Sequence, residues 1–456
     1  MRCVILALAI AMLPSAMAAD SFVQVSRAAP RYLETSDGKA YLPVGLNIGW
    51  ERYATSEDEV FRLTEERFRQ LARNGGNFAR IFLGHPFYQL DPVTPGVIDP
   101  ERMKRIEHLV ALARKHGIRL KMCLEHFRTV QQDPPQFPGS VPMGAPHYGS
   151  RFADMTAYFR DGRDVFLAKA GALAQRFSKE PIIYGWELWN EINSARQPGW
   201  EEWTRDMLPE VKKRFPRHLV MQSLGSWDAE PKDALYQRFA VMPGNELAQA
   251  HRYLDNGARF PICHGPMDVL AADAVTRLLE FVPGRPVLLS EVGAVENRHA
   301  GPFKLYARDR DGVLLHDGLF APFFAGSAGG GQFWHWQDYV EPNNLWWHFA
   351  RFAEAIKGID PRREEFRPVR RDQPGVRIYA LDGRNTSLLW VRDAESDWRS
   401  ELAEGKPPAQ REGVRVPYSR GRKARVYDPW LNRWTSVAAR DGFVVLPPFR
   451  RSVVVR

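Results

Sequence analysis

Cysteine and long apolar runs are both scarce in this chain. Only three cysteines occur in 456 residues. Cys3 sits in an apolar leader, and Cys123 and Cys263 lie far apart. A chain this long buries a large core without covalent staples, so two free, buried thiols are expected rather than a disulfide framework. After the leader, no segment approaches the roughly 20 uninterrupted apolar residues that a spanning helix needs. Metal-ligand spacing is also missing: there is no His-Glu-x-x-His and no close cysteine pair. Gly329-Gly330-Gly331 lacks the Lys-Ser/Thr of a phosphate loop. No metal or cofactor is therefore expected. Blocks of one charge sign are absent too. The formal charge is +9, but acids are interspersed among the bases. That pattern describes an Arg-rich solvated surface and implies no nucleic-acid partner and no obligate protein partner.

What is present begins with a leader. Arg2, the apolar run Val4–Leu13, Pro14 and then Ala16-Met17-Ala18 form the pattern of a cleaved signal peptide over residues 1–19. The expectation is export, to the periplasm or beyond, with the mature chain starting at Ala19 or Asp20.

From residue 20 to about 360, short apolar runs alternate with helical stretches, the beat of a βα repeat. The clearest helix follows Asp99, a cap, and Pro100, suited to the first turn. Its stripe is Met103, Ile106, Leu109, Val110 and Ala113, and Gly117 stops it. Strand-like runs fall at Leu42–Asn47, Asn77–Phe82, Ile118–Leu124, Ile182–Trp189, Leu219–Leu224, Leu247–Tyr253, Pro286–Ser290 and Gly331–Trp336. Eight such runs favour an α/β fold of the (β/α)8 TIM-barrel kind over an open sheet. A hairpin over Phe22–Tyr41 is expected to plug the barrel floor, and a long aromatic-rich loop, Thr129–Arg163, to form a wall. Over residues 366–456 only strand-like runs remain, predicting a C-terminal β-sandwich that braces the barrel or touches polysaccharide.

In a barrel, chemistry sits at the carboxyl ends of the strands. Two apolar runs end in acids: Ile182–Asn190 leads into Glu191, and Val287–Ser290 leads into Glu291. Paired carboxylates suit glycosidic cleavage, in which one protonates the leaving oxygen and the other attacks carbon or activates water.

Trp189-Asn190-Glu191 and Ser290-Glu291-Val292-Gly293 in this order resemble clan A of the glycoside hydrolases, and most closely family 5, the cellulases and mannanases. Lys39–Asn47 resembles that family's opening strand, Asn77-Phe78-Ala79-Arg80 its second strand, His251-Arg252-Tyr253 its His-x-Tyr, and Phe333–Trp336 its eighth strand. The resemblance implies a retaining hydrolase of O-glycosidic bonds, with Glu191 as general acid/base and Glu291 as nucleophile. It further implies that Arg80 and Tyr253 keep Glu291 ionised and that Asn190 grips the sugar 2-hydroxyl. His126 and His251 become wall residues and Trp336 the stacking platform, with Trp334 a competitor on the same strand. Glu125 is left as a sugar contact or a buried paired carboxylate. The implied partner is an oligo- or polysaccharide, a β-mannan or a β-glucan. A transglycosylase, or a non-catalytic sugar-binding protein on the same barrel, remains the alternative.

Overall fold

The computed structural model describes residues 20–132 and 145–456. The expected leader and residues 133–144 of the expected long loop lie outside the described residues.

β1 (Gly45–Asn47), β2 (Phe78–Phe82), β3 (Arg119–Glu125), β4 (Ile183–Trp189) and β5 (Leu219–Met221) pair in parallel, in that order. β6 (Ala248–Leu254) pairs in parallel with β7 (Val287–Ala294). Between β5 and β6, Glu246 replaces part of the ladder: its backbone N–H donates to the Val220 carbonyl, and its carboxylate accepts from Val220 N at 2.8 Å. The eighth position is shorter than the run Gly331–Trp336 implied. It narrows to Phe333, which bridges Leu46 of β1 and Val292 of β7 and closes the ring. The Asn47 amide seals this seam, with Nδ2 lying 3.0 Å from the Gln332 carbonyl and 3.2 Å from those of Ser290 and Phe333.

The glycine run before Phe333 is a packing device. A Cβ on Gly331 would lie 2.0 Å from the Gly318 carbonyl, and one on Gly329 would lie 2.5 Å from Pro43. The helix carrying Gly318 therefore rests directly on the closing segment, a contact that only glycine permits.

Helices α1 (Glu57–Arg73), α2 (Pro100–His116), α3 (Arg163–Phe177), α4 (Trp200–Arg214), α5 (Asp233–Ala240), α6 (Met267–Phe281), α7 (Val313–Phe324) and α8 (Trp347–Ala355) surround the ring. α2 follows its sequence signals closely: the Asp99 carboxylate accepts from the Glu101 and Arg102 amides, and Gly117 ends the helix in the left-handed region at φ 67°. The connection after β3 is not loop throughout, since Met155–Asp161 is helical. At the floor, the expected hairpin is a three-stranded antiparallel sheet, Val23–Val25, Leu33–Thr35 and Ala40–Tyr41. Its Val23, Leu33 and Tyr41 pack with Phe78, Tyr184, Leu219 and Leu288, which sit at the starts of barrel strands. Cys123 and Cys263 are free and buried. Among the described residues, no helix is long and apolar enough to cross a membrane.

The C-terminal region is an antiparallel β domain. Its strands are β8 (Arg367–Arg370), β9 (Val376–Asp382), β10 (Ser387–Asp393), β11 (Arg415–Pro417), β12 (Lys423–Asp428), β13 (Arg433–Arg440), β14 (Phe443–Val445) and β15 (Ser452–Val455). They join as one sheet in the order β8-β9-β10-β15-β12-β13-β14-β11. β13 changes partner along its length, pairing β12 through residues 433–438 and β14 through residues 439–440. Val416 and Val444 of the paired strands β11 and β14 join Ile378, Val391 and Val426 in one apolar cluster. The alternate residues Tyr379, Trp390, Tyr427 and Val454 belong to the barrel's core. β8 and β13 each begin and end on an exposed arginine, Arg367 and Arg370 in one and Arg433 and Arg440 in the other, and their runs escaped the sequence reading because neither offers an apolar stripe.

Candidate active site

A cleft of about 1140 Å³ opens at the carboxyl ends of the barrel strands. Beneath it, side chains from neighbouring strands form a charged layer inside the barrel. Arg80 of β2 is fully buried and uses every guanidinium N–H. Nε and Nη2 donate to the two oxygens of Glu187 at 2.8 Å each, and Nη2 also donates to Asn190 Oδ1 at 2.9 Å. Nη1 donates to Asn47 Oδ1 at 3.2 Å and to Glu291 Oε1. Burial disfavours the charge on Arg80, but Glu187 and Glu291 overcome this and strengthen it. Glu187 of β4 also pairs with Lys121 of β3 at 2.9 Å. Burial raises its pKa, but the charges of Arg80 and Lys121 prevail and hold it at about 2. Lys121, buried in turn, is pushed down to about 8.

Two carboxylates reach from this layer into the cleft, and each is aimed by a local backbone irregularity. Glu291 lies within β7 and not just beyond it. A register shift between Leu289 and Glu291 inserts Ser290 as a bulge, so the strand continues to Ala294 with Glu291 opposite His251. Glu291 takes Arg80 on Oε1 and the Tyr253 hydroxyl on Oε2 at 2.6 Å. Burial, followed by the neighbouring Glu291 charge, raises the Tyr253 pKa well above the ordinary phenol range, so Tyr253 remains a donor.

Glu191 sits two residues past β4 in the left-handed region at φ 53° and ψ 52°. This conformation costs a non-glycine residue about 1–2 kcal/mol. The loop supports it through a Glu191 N–H bond to Ser223 Oγ at 3.0 Å and a Ser194 N–H bond to the Glu191 carbonyl at 2.8 Å. The Glu191 carboxylate accepts from His251 Nδ1 at 2.9 Å and from Arg128 Nη2 at 2.8 Å. Burial would raise its pKa, but the His251 hydrogen bond and the Arg128 charge outweigh it, leaving the carboxyl well below its usual range.

His251 Nδ1 is also 3.3 Å from Glu291 Oε2, so this side chain bridges the two acids instead of standing apart as a wall residue. One coordinating atom from each of Glu191, His251 and Glu291 lies within 4.8 Å of the other two. A retaining pair stands about 5–5.5 Å apart and an inverting pair about 6.5–9.5 Å. A cation would have to displace Arg80 and Arg128 from these same carboxylates.

Asn190 lines the cleft. With its oxygen engaged by Arg80, its amide N–H groups are left as donors. His126 also lines the cleft, and burial, assisted by Arg128 and Arg80, pulls its pKa down to about 3, so it stays neutral. The platform expectation needs correction. Trp336 is only 1% exposed and lies outside the cleft lining, because the chain enters a π-helical turn at Trp336–Val340. Of the two indoles on this segment, Trp334 is the one that lines the cleft, edge-on to Trp336 at 5.3 Å and to Trp50 at 5.5 Å. Glu125 is buried against Lys169 and takes the structural alternative. Of the loop aromatics Trp50, Tyr148, Trp227 and Tyr339, Trp50 lines the cleft and the other three are buried. Arg128, Glu187 and Asn47 were not singled out from sequence. For Glu187, a carboxylate inside an apolar strand four residues before Glu191 was the available signal.

The family model for cellulases, glycosyl hydrolase family 5, matches residues 41–312. The chain belongs to glycosyl hydrolase family 5. Mannan endo-1,4-beta-mannosidase 4 of Oryza sativa subsp. japonica is 24% identical over 230 residues, which are 47% of this chain. This chain spans about half the length of that relative, 49%. Mannan endo-1,4-beta-mannosidase 3 of the same organism is 23% identical over 412 residues, covering 84% of this chain and 82% of that one. A family 5 glycoside hydrolase from Bacteroides vulgatus ATCC 8482 has the same fold, with TM-score 0.60, 15% identity and coverage of 95% and 92%. This chain is thus a family 5 member on a (β/α)8 barrel.

Proposed function

We propose that this family 5 hydrolase cleaves a β-1,4-linked mannan by double displacement and that it is exported. The observation that carries the mechanism is that one oxygen of Glu191 and one of Glu291 lie within 4.8 Å of each other, nearer the spacing of a retaining pair than that of an inverting one. The mannan assignment rests on the mannosidase relatives.

In the first step a Glu291 oxygen bonds to the anomeric carbon as the glycosidic C–O bond breaks, and the leaving oxygen takes its proton from Glu191. In the second, Glu191 removes a proton from water, whose oxygen displaces Glu291 from the same carbon. Arg80 and Tyr253 occupy Glu291 so that it attacks as an anion. Asn190 donates to the sugar 2-hydroxyl, and that bond strengthens as the ring flattens. Trp334 supplies the apolar face beneath the sugar. Protonation of Glu191 requires loosening of its Arg128 contact, which a bound substrate brings about by entering the cleft.

Hydrolysis of β-1,4-mannan and β-1,4-glucan oligosaccharides, with product anomers followed by NMR, tests the proposal. The retained anomer should appear first from mannan and vanish in Glu291→Ala. An inverted first product would overturn the mechanism; a preference for glucan would overturn the substrate; binding without cleavage would overturn both.

A further inference from the structure

The two sides of the cleft differ in chemistry. The loops after β1, β3 and the closing segment contribute Trp50, His126 and Trp334, and the one arginine there with an acid partner outside the lining, Arg52, pairs with Asp338 at 3.1 Å. The loops after β4, β6 and β7 contribute Arg196, Arg259 and Arg298, all exposed and none within ion-pair distance of a carboxylate among the described residues. The acids nearby are already engaged. Asp228 pairs with Lys232 at 2.7 Å. Asp255 spends its Oδ1 on the backbone N–H groups of Gly257 and Arg298, at 2.8 and 2.9 Å. Glu191 and Glu291 are held by Arg128 and Arg80.

Two of these arginines are also placed at a conformational cost. Arg196 and Arg298 adopt left-handed backbone, φ 57° and 59°, where a non-glycine side chain is disfavoured. The second is fitted by a glycine: a Cβ on Gly257 would lie 2.7 Å from Arg298 N. A neutral glycan needs neither the strain nor three uncompensated guanidinium groups beside its cleavage point. Guanidinium forks match planar or tetrahedral oxyanions.

We propose that the cleft accepts a β-glycan bearing an anionic substituent, a uronate carboxylate or a sulfate ester, on a sugar beside the cleaved one, held by Arg196, Arg259 and Arg298. This deepens the proposed function and rests on it for the bond that is cut.

The test compares kcat/KM for the purified protein on β-1,4-mannohexaose, on the same backbone bearing glucuronate, and on the same backbone bearing sulfate esters. An acidic substrate should exceed the neutral one by about tenfold or more at low salt, and the ratio should fall toward one at about 0.5 M NaCl. The ratio should fall likewise in Arg196→Gln/Arg259→Gln/Arg298→Gln. If that triple variant does not fold, Arg196→Gln alone, an exposed position, should lower it. Which acidic arm gains identifies the anion. Calorimetric binding of the three oligosaccharides to Glu291→Ala gives a second readout, independent of turnover. Cleavage of mannohexaose with no acidic preference, or a preference untouched by the arginine variants, overturns this inference and leaves the proposed function standing. Tighter, arginine-dependent binding of an acidic oligosaccharide with no cleavage of any supports this inference and overturns the hydrolytic reading.

Discussion

Two sets of buried ion pairs organise this molecule, one inside the barrel and one where the C-terminal sheet meets helices α6 and α7. In the interface set, Arg377 grips both oxygens of Asp268 at 2.6 and 2.9 Å, with the Tyr379 hydroxyl 2.8 Å away. Arg392 grips both oxygens of Asp317 at 2.8 and 3.0 Å. Around them, Ser452 joins His316 at 2.8 Å to Trp430 at 3.1 Å, and Trp434 reaches Glu354 at 2.9 Å. Every charge there faces another protein group. The barrel set uses the same Arg–carboxylate chemistry, but Glu291 and Glu191 each keep an edge toward the cleft. The comparison teaches that a buried charge cluster becomes a site by being left open on one side, whereas a closed one fixes the placement of the domains. One face of the β domain packs into the barrel's core.

Activity should respond most where the cluster is open. Glu291→Ala should lower kcat by about 10⁴-fold or more, and Glu191→Ala by about 10²–10⁴-fold, measured on an oligosaccharide substrate. Thermal unfolding of Glu291→Ala should show little loss of stability, because Arg80 keeps Glu187 as its partner.

The closed cluster should respond in stability. Arg392→Met leaves Asp317 buried without its partner and should cost about 3–5 kcal/mol in urea unfolding, with kcat per folded molecule unchanged. The double variant Arg392→Met/Asp317→Leu should recover most of that loss, since replacing a whole buried pair by apolar residues is often neutral. If the double variant is no better than the single, the interface pairs are not interchangeable with apolar packing.

A smaller effect concerns acid. Glu187 has a folded pKa of about 2 against an ordinary 4.5. Its depressed pKa stabilises the fold above pH 4.5, and that contribution drains away as pH falls toward 2. A Glu187→Gln variant should show a flatter loss of stability across that window. Smaller still is the effect of Arg128→Gln. Removing that charge raises the Glu191 pKa, so the protonated acid persists to higher pH and the alkaline limb of the kcat/KM profile moves up. An unmoved limb would assign it to another group.

Where the reading from sequence succeeded, the physics was local. Capping by Asp99, the stop at Gly117, seven of the eight apolar runs that became strands, and an acid at the end of the fourth are decided within a few residues, and they were legible in order; Glu291 proved to lie inside its strand. The N-terminal plug was legible as a hairpin, though not as three separate strands. What failed depended on contacts between distant segments. Nothing near Gly329–Gly331 announces that Pro43 and α7 press against it. Trp336 and Trp334 look alike in sequence, and a turn formed after the chain leaves the barrel put one outside the cleft lining and the other in it. The bulge at Ser290 arises from pairing with β6, a strand some distance earlier in the chain.

The sequence by itself determined the barrel, the β domain and the two acids, because strand period, helix caps and a carboxylate at a strand end are properties of short stretches. Only the tertiary structure decided the partners of those acids. Arg80, Lys121, Glu187 and His251 come from four different strands and Arg128 from the loop after β3, and the energy of a buried charge depends on which groups surround it in space.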